Sequence, residues 1–278
     1  MDKLSITDCI MKEAGIPNWG VAAYSDLSCI LEYSVKKRLP ECPQSVLTAL
    51  FPYYCGEREG ANLSKYCIPR DYHDVAGELL ACAAAALKAA FPGHAFVPFC
   101  DSSPVPEVEA AWRAGLGVKG KNGLLISPEY GSYVFIGEIV TDLLLPPCQK
   151  TSASCDNCGA CVAACPTGAL GEGFEKSRCL SAITQKKGEL APWEAEAVKK
   201  GGLVWGCDRC QDVCPMNNGA KKTEIAAFQT SQVHRLLREE VFSEDFTAKN
   251  HGRAYMWRGA NVLKRNICII ESTPEDNK

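Results

Sequence analysis

Apolar positions along this chain fall into two kinds of pattern, and they alternate as far as residue 146. Residues 3–14 carry an amphipathic helical pattern that stops at Gly15. Short apolar runs at Val21–Tyr24, Val46–Phe51, Ala95–Phe99 and Leu124–Ser127 predict buried strands. Tyr133–Leu145 predicts a longer strand with Gly137 and Glu138 in its middle. Helical periodicity covers Tyr72–Phe91 and Pro104–Ala114. Ser103-Pro104 reads as a hydroxyl cap followed by proline at the first helical position, and Gly115 as a stop. Strands alternating with helices predict an α/β unit over residues 1–146. Pro146-Pro147 breaks the pattern, and a cysteine-rich segment of short loops follows over 147–220. Helical patterning returns at Thr223–Val241 and Ala254–Ile270, within a C-terminal helical segment over 221–278.

Two cysteine runs dominate the middle segment. They are Cys155-x2-Cys158-x2-Cys161-x3-Cys165-Pro166 and Cys207-x2-Cys210-x3-Cys214-Pro215. The first is the bacterial ferredoxin run, in which three thiolates hold one [4Fe–4S] cluster and the fourth reaches across to another. Cys179, between the runs, is free to complete the second set. The expected partition is Cys155, Cys158, Cys161 and Cys214 on one cluster, and Cys165, Cys179, Cys207 and Cys210 on the other. The competing reading is structural zinc, which also uses Cys-x2-Cys pairs but has no need of a further cysteine followed by proline. Paired low-potential clusters imply one-electron traffic toward an acceptor.

Composition narrows the setting. A chain of 278 residues with 46% hydrophobic content can bury a substantial core and divide into two units. The net charge of −3 does not make the whole molecule an attractor of nucleic acid, although a local basic face is compatible with it. The first residues lack the basic and apolar regions of a secretory signal, and no apolar stretch suits a membrane span. A reducing cytoplasm is the expected compartment. The remaining cysteines (Cys9, Cys29, Cys42, Cys55, Cys67, Cys82, Cys100, Cys148 and Cys268) are scattered without metal spacing and read mostly as small buried residues. Cys148 stands out because it lies just ahead of the first run. Four histidines argue against a histidine-rich metal site.

Two further patterns invite chemistry. Gly115-Leu-Gly117-Val-Lys-Gly120-Lys121-Asn122 satisfies G-x-G-x-x-G, but a helix precedes it and a strand follows, the reverse of a nucleotide-binding turn. A glycine-rich backbone close to some other large cofactor is the better reading, with Lys121 and Asn122 in the same loop. Arg70-Asp71-Tyr72-His73-Asp74 has acid–base residue types, yet polar residues at a helix start are usually caps.

Several of these segments taken together resemble the epoxyqueuosine reductases. The resemblance runs through Tyr66, Arg70-Asp71-Tyr72-His73, Cys100-Asp101-Ser102-Ser103-Pro104, the Gly115 loop, Pro128–Glu138, both cysteine runs, Arg178-Cys179-Leu-Ser, Trp205–Pro215 and Arg265-Asn266. It implies a nitroreductase-like α/β domain holding cobalamin against a ferredoxin-like double [4Fe–4S] domain with C-terminal helices. It also implies removal of an epoxide oxygen from a tRNA-borne ring, with electrons relayed by the clusters to corrin cobalt. Asp101 matches the family's proton donor, and Tyr66, Leu125, Ile136 and Lys186 match its corrin contacts.

The matched positions carry expectations of their own. As an acid at neutral pH, Asp101 is expected to be buried against the corrin face; as a helix cap it would only begin the helix at Ser103. Implied partners are tRNA and a low-potential donor of ferredoxin or flavodoxin type, with the chain monomeric. Many members carry a C-terminal helical-repeat domain, whereas this chain ends at Lys278, and Tyr24–Pro43 lacks the family's usual tryptophan-containing stretch. These departures bear on the substrate more than on the cofactors. A corrinoid reductase with a non-tRNA substrate and a ferredoxin-type electron carrier are the alternatives. Basic residues at Lys186-Lys187, Lys199-Lys200, Lys221-Lys222, Arg253, Arg258, Lys264 and Arg265 suit either phosphates or a solvated face.

Overall fold

A computed structural model describes residues 2–149 and 153–272. The first unit consists of α1 (Lys3–Glu13), β1 (Trp19–Ala23), β2 (Ser45–Pro52), α2 (Tyr72–Ala90), β3 (Phe96–Cys100), α3 (Glu107–Arg113), β4 (Val118–Lys119), β5 (Leu125–Ile126) and β6 (Val134–Thr141). Short helices α4 (Ala160–Ala163), α5 (Leu180–Thr184), α6 (Pro192–Gly201) and α7 (Arg209–Asp212) follow among the cysteines. The chain continues through α8 (Ala226–Gln229), α9 (Arg238–Val241), α10 (Phe246–Lys249) and α11 (Ala260–Glu271).

The main sheet has four strands in the order β1-β2-β6-β3, all antiparallel to their neighbours. Alternation in the strands sorts side chains to two faces. Leu47, Ala49, Phe51 and Ile139 point to the face covered by α1 and α2, where Met11, Leu80 and Leu87 pack with them. Val46, Leu50, Val140, Val134 and Ile136 point the other way, toward α3. A one-residue slip would exchange the two sets, so burial on both faces fixes the register. Gly137 is required where α2 presses on the sheet, because a Cβ there would lie 2.6 Å from Leu80 Cδ1 and 3.1 Å from Phe51.

The helix expected from Ser103-Pro104 begins later, at Glu107, with Pro106 before it. The intervening residues make a tight turn instead. Asp101 and Ser102 take positive φ values of 53° and 45°, and the Ser103 hydroxyl accepts a hydrogen bond from the Val105 N–H at 3.1 Å. The hydroxyl that resembled a helix cap therefore closes a turn.

The expected helix over Thr223–Val241 is also corrected. It contains only the single-turn helices α8 and α9. The Thr223 hydroxyl bonds Ile225 N–H and Gln229 bonds back to the Thr223 carbonyl, so local polar contacts divert the backbone. Long-range burial then sets its path. Phe228 is fully buried in the α2-side core of the sheet, while Leu236 joins a second core with Leu63, Trp205, Tyr255 and Leu263. Residues from all three stretches of sequence thus share these cores.

Candidate active site and cluster segment

Polar clamps hold the cysteine segment to the first unit. The Asp208 carboxylate, between Cys207 and Cys210, accepts from the Ser64 hydroxyl at 2.5 Å and from Lys65 N–H at 2.8 Å. Gln211 donates to the Tyr53 hydroxyl at 3.0 Å. Asn217 accepts from Ser132 N–H at 2.8 Å and donates to the Ser132 hydroxyl at 2.9 Å. Trp205 donates its indole N–H to the Tyr66 hydroxyl at 2.7 Å. Gly206, at φ +78°, permits this approach, since a Cβ there would sit 2.3 Å from Ser64 Cβ.

Electrostatic proximity sorts the cysteines into two adjoining groups. Cys214 feels the charges of Cys155, Cys158 and Cys161, whereas Cys207 feels Cys179 and Cys165. Cys210 interacts with Cys207 and Cys179, and also with Cys161 at the junction of the two groups. Burial raises the Cys207 and Cys210 thiols, to about 11 and about 12 respectively. Cys165 goes the other way: burial opposes its ionisation, but backbone N–H groups of Thr167, Ala169 and Leu170 point at the sulfur and lower it. Amide donors around sulfur suit a cluster thiolate. Among the described residues, no three His, Cys, Asp or Glu side chains converge as ligands of one metal ion. Cys148 stays apart: it is exposed and its sulfur accepts from Val21 N–H at 3.3 Å.

A cavity of about 330 Å³ lies between the sheet and this segment. Tyr53, Tyr66, Asn122, Val134 and Phe135 form one wall, and Cys165, Cys179, Cys207 and Cys210 form the other. Only the second cysteine group borders it; Cys155, Cys158, Cys161 and Cys214 do not. The walls suit a large, mostly apolar ligand with a few polar attachment points. One such point is the side-chain nitrogen of Asn122, which is buried and has no hydrogen-bond partner. Its amide oxygen is used by Leu124 N–H at 3.3 Å. The glycine-rich loop therefore carries a buried, unsatisfied donor on a residue that lines the cavity.

The matched corrin contacts divide. Tyr66 lines the cavity. Leu125 is buried on β5 and packs with Ile136, while their neighbours Leu124, Val134 and Phe135 face the space. Lys186 lies in an adjoining cleft of about 700 Å³ with Phe174, Trp257 and Arg258, and this cleft meets the cavity at Cys179. Its ammonium lies 2.9 Å from both Glu194 oxygens.

Asp101 is not buried as expected: its side chain retains 52% exposure. The reason is His73, which reaches across from α2. His73 Nε2 lies 3.1 Å from Asp101 Oδ2, and Nδ1 lies 2.7 Å from Asp71 Oδ1. The Asp101 hydrogen bond, then that of Asp71, raises the imidazole from 6.5 to about 9. His73 in turn holds Asp101 below the usual carboxylate range. The mobile proton at neutral pH therefore sits on the imidazole. Neither the buried acid nor the helix cap describes Asp101, because α3 starts six residues later. His73 connects to the cavity through aromatic rings: Tyr72 contacts His73 at 4.0 Å and stacks on Phe135 at 4.1 Å.

The polar residues at this helix start do form a cap, with Asp71 accepting from His73 N–H at 3.0 Å. The sequence signal for a second role was limited to the Asp-x-His spacing. Several basic residues are also engaged internally. Arg265 donates to the carbonyls of Lys186 and Gly188, Lys221 pairs with Glu129, and Arg253 donates to the Ser231 carbonyl.

Comparison with known proteins places this geometry. Residues 154–217 match the family described as the 4Fe-4S double cluster binding domain. An epoxyqueuosine reductase of Gloeobacter violaceus is 39% identical over 239 residues, covering 80% of this chain and 74% of that protein. The chain belongs to the epoxyqueuosine reductase family. The structure of epoxyqueuosine reductase from Streptococcus thermophilus superposes with a TM-score of 0.82 at 26% identity, covering 97% of this chain and 81% of that one. A crystal structure of epoxyqueuosine reductase with an epoxyqueuosine-modified tRNA-Tyr stem loop gives 0.82 at 25% identity, covering 96% and 80%. The chain spans 55–60% of the length of other curated epoxyqueuosine reductases that it matches. Among the described residues, no helix is long and apolar enough to cross a membrane.

Proposed function

We propose that this protein reduces epoxyqueuosine in tRNA to queuosine, using two [4Fe–4S] clusters and a cobalamin. The observation that carries this reading is the cavity shared by the sheet, the Asn122 loop and one group of four cysteines, in a chain of this family. The net reaction consumes two electrons and two protons, breaks both carbon–oxygen bonds of the epoxide, and leaves an alkene and water. When bound, a cobalamin supplies a cobalt centre that takes up electrons singly. Tyr66, Asn122 and Phe135 would line its pocket, with Leu125 and Ile136 packed behind them.

The two cysteine groups support the partition expected from spacing, with Cys155, Cys158, Cys161 and Cys214 on the outer cluster. Cys165, Cys179, Cys207 and Cys210 would hold the cluster next to the cavity. His73 and Asp101 together hold one proton at neutral pH, and this pair is the donor to the departing oxygen. Lys186, Trp257 and Arg258 give the adjoining cleft cationic and aromatic character suited to RNA.

Anaerobic reconstitution with iron and sulfide, followed by cobalamin, tests the assignment. About eight irons per chain and a corrinoid spectrum that changes on reduction are expected. Loss of epoxyqueuosine from tRNA, followed by nucleoside analysis, then identifies the substrate. Eight irons with no corrinoid would favour an electron carrier, and zinc without iron would overturn the whole reading.

A further inference from the structure

A second acidic pair lies behind Asp101 and has no place in the function above. Glu138 sits in mid-sheet on β6, opposite Thr48 of β2 and Phe99 of β3. It is completely buried, and neither carboxyl oxygen has a hydrogen-bond partner. Glu107 opens α3 above the same face of the sheet, and its Oε1 is also buried and unpartnered. The hydroxyl of Thr48 is a third unpartnered polar atom. A fully buried carboxylate and a partly buried one beside it, without a cation between them, are not both stable as anions.

The groups acting on this pair come from each neighbouring element. Cys100 of β3 and Asp101 of the following turn lie beside both carboxyls, and the Ser103 hydroxyl is next to Glu138. His73 of α2 is the cation that acts on Glu107. The backbone N–H of Asp101 also points to the Glu107 carboxyl.

We propose that Glu138 is a protonated acid in the folded protein and that it holds Glu107 as a proton-exchanging group which recharges the His73–Asp101 pair. The reaction needs two protons, and the His73–Asp101 pair holds one. After that proton has left, the O–H bond of Glu107 breaks and an N–H bond forms at His73 Nε2, with Asp101 passing the proton between them. No electrons change hands, and the Glu107 carboxylate left behind lies beside a neutral Glu138 rather than a second anion. Solvent then returns the proton to Glu107. Burial, then the charge of Asp101, raises Glu107 to about 7, so transfer to an imidazole near 9 runs downhill. Burial and the charge of Glu107 raise Glu138 further. Glu107 and Glu138 touch no reacting atom in this scheme and are positioning and proton-holding residues.

The proposal rests on His73–Asp101 being the donor, and its test separates the two ideas. Infrared spectra of the reconstituted protein, with and without ¹³C-glutamate labelling, report protonated glutamic acid directly. At pH 8, a carbonyl band of a glutamic acid is expected that shifts on labelling and disappears in Glu138→Gln. The labelled wild type keeps the test valid if that variant does not fold. In turnover, Glu107→Gln is expected to abolish a pH dependence centred near 7 while leaving the fall near 9. A missing glutamic acid band at pH 8, or an unchanged inflection near 7 in Glu107→Gln, overturns the proposal. A band in a protein that does not turn over epoxyqueuosine supports the acid pair and removes the function.

Discussion

His73 and Asp101, distant in sequence, meet with Nε2 3.1 Å from Oδ2, and Asp71 fixes the other face of the imidazole at 2.7 Å. This contact moves the proton from the carboxyl to the ring. The protonated imidazole is fully present below its ordinary value of 6.5 and is lost as pH rises through about 9. Turnover is therefore expected to fall above pH 9. His73→Gln should lower turnover at pH 7 by about a hundredfold, in the range for loss of a general acid. A pH–rate profile, with NMR titration of the His73 ring, checks both statements. An imidazole titrating near 6.5 would remove the basis for the prediction.

Cysteine substitutions should separate by cluster. Cys214→Ser is expected to reduce iron from about eight to about four per chain while corrinoid binding survives. Cys179→Ser should cost the same iron but also weaken corrinoid binding, because Cys179 borders the cavity and Cys214 does not. Iron analysis and corrinoid titration on both variants distinguish this from equal effects.

Asn122→Leu has different expected effects on the apo and loaded protein. Its buried side-chain nitrogen has no partner and its oxygen accepts only a long bond from Leu124 N–H at 3.3 Å, so replacement removes an unsatisfied donor and a weak acceptor together and should change apo stability little. Corrinoid affinity should fall by about tenfold, equivalent to one hydrogen bond of about 1.4 kcal/mol. Thermal melts with and without cobalamin measure the two effects.

Tyr66→Phe should destabilise the junction between the sheet unit and the cluster segment. It leaves the Trp205 indole N–H without its 2.7 Å acceptor, and Trp205 is fully buried. A loss of about 1–3 kcal/mol is expected for an unsatisfied buried donor. Denaturant unfolding provides the value, and a loss near zero would mean that another acceptor replaces the hydroxyl.

The parts legible from sequence are those written in local spacing. The cysteine runs are ligand patterns within a few residues, and the Val46–Phe51 and Ala95–Phe99 runs became β2 and β3 because their apolar side chains suit a sheet buried on two faces. Ser103-Pro104 misled because a hydroxyl before proline satisfies either a helix cap or a turn. Positive φ at Asp101 and Ser102 selects the turn. Phe228 could not be placed by periodicity, since its burial depends on the sheet core rather than on its own segment. An acid at neutral pH calls for an apolar setting at Asp101, and its actual partner, His73, comes from α2, far away in sequence. Glu138 reads as an ordinary polar residue of a strand until both sides of that strand are known to be covered.

Phe228 returns the chain to the core of the sheet after the last cluster cysteine. The cysteine-bearing stretch is consequently a tethered loop, anchored before Cys155 by β6 and after Cys214 by Phe228. Closure at both ends limits the conformations open to that stretch when iron is lost. Rebuilding a damaged cluster then becomes a local search by thiols that remain near one another, and the cavity wall is restored by the same event.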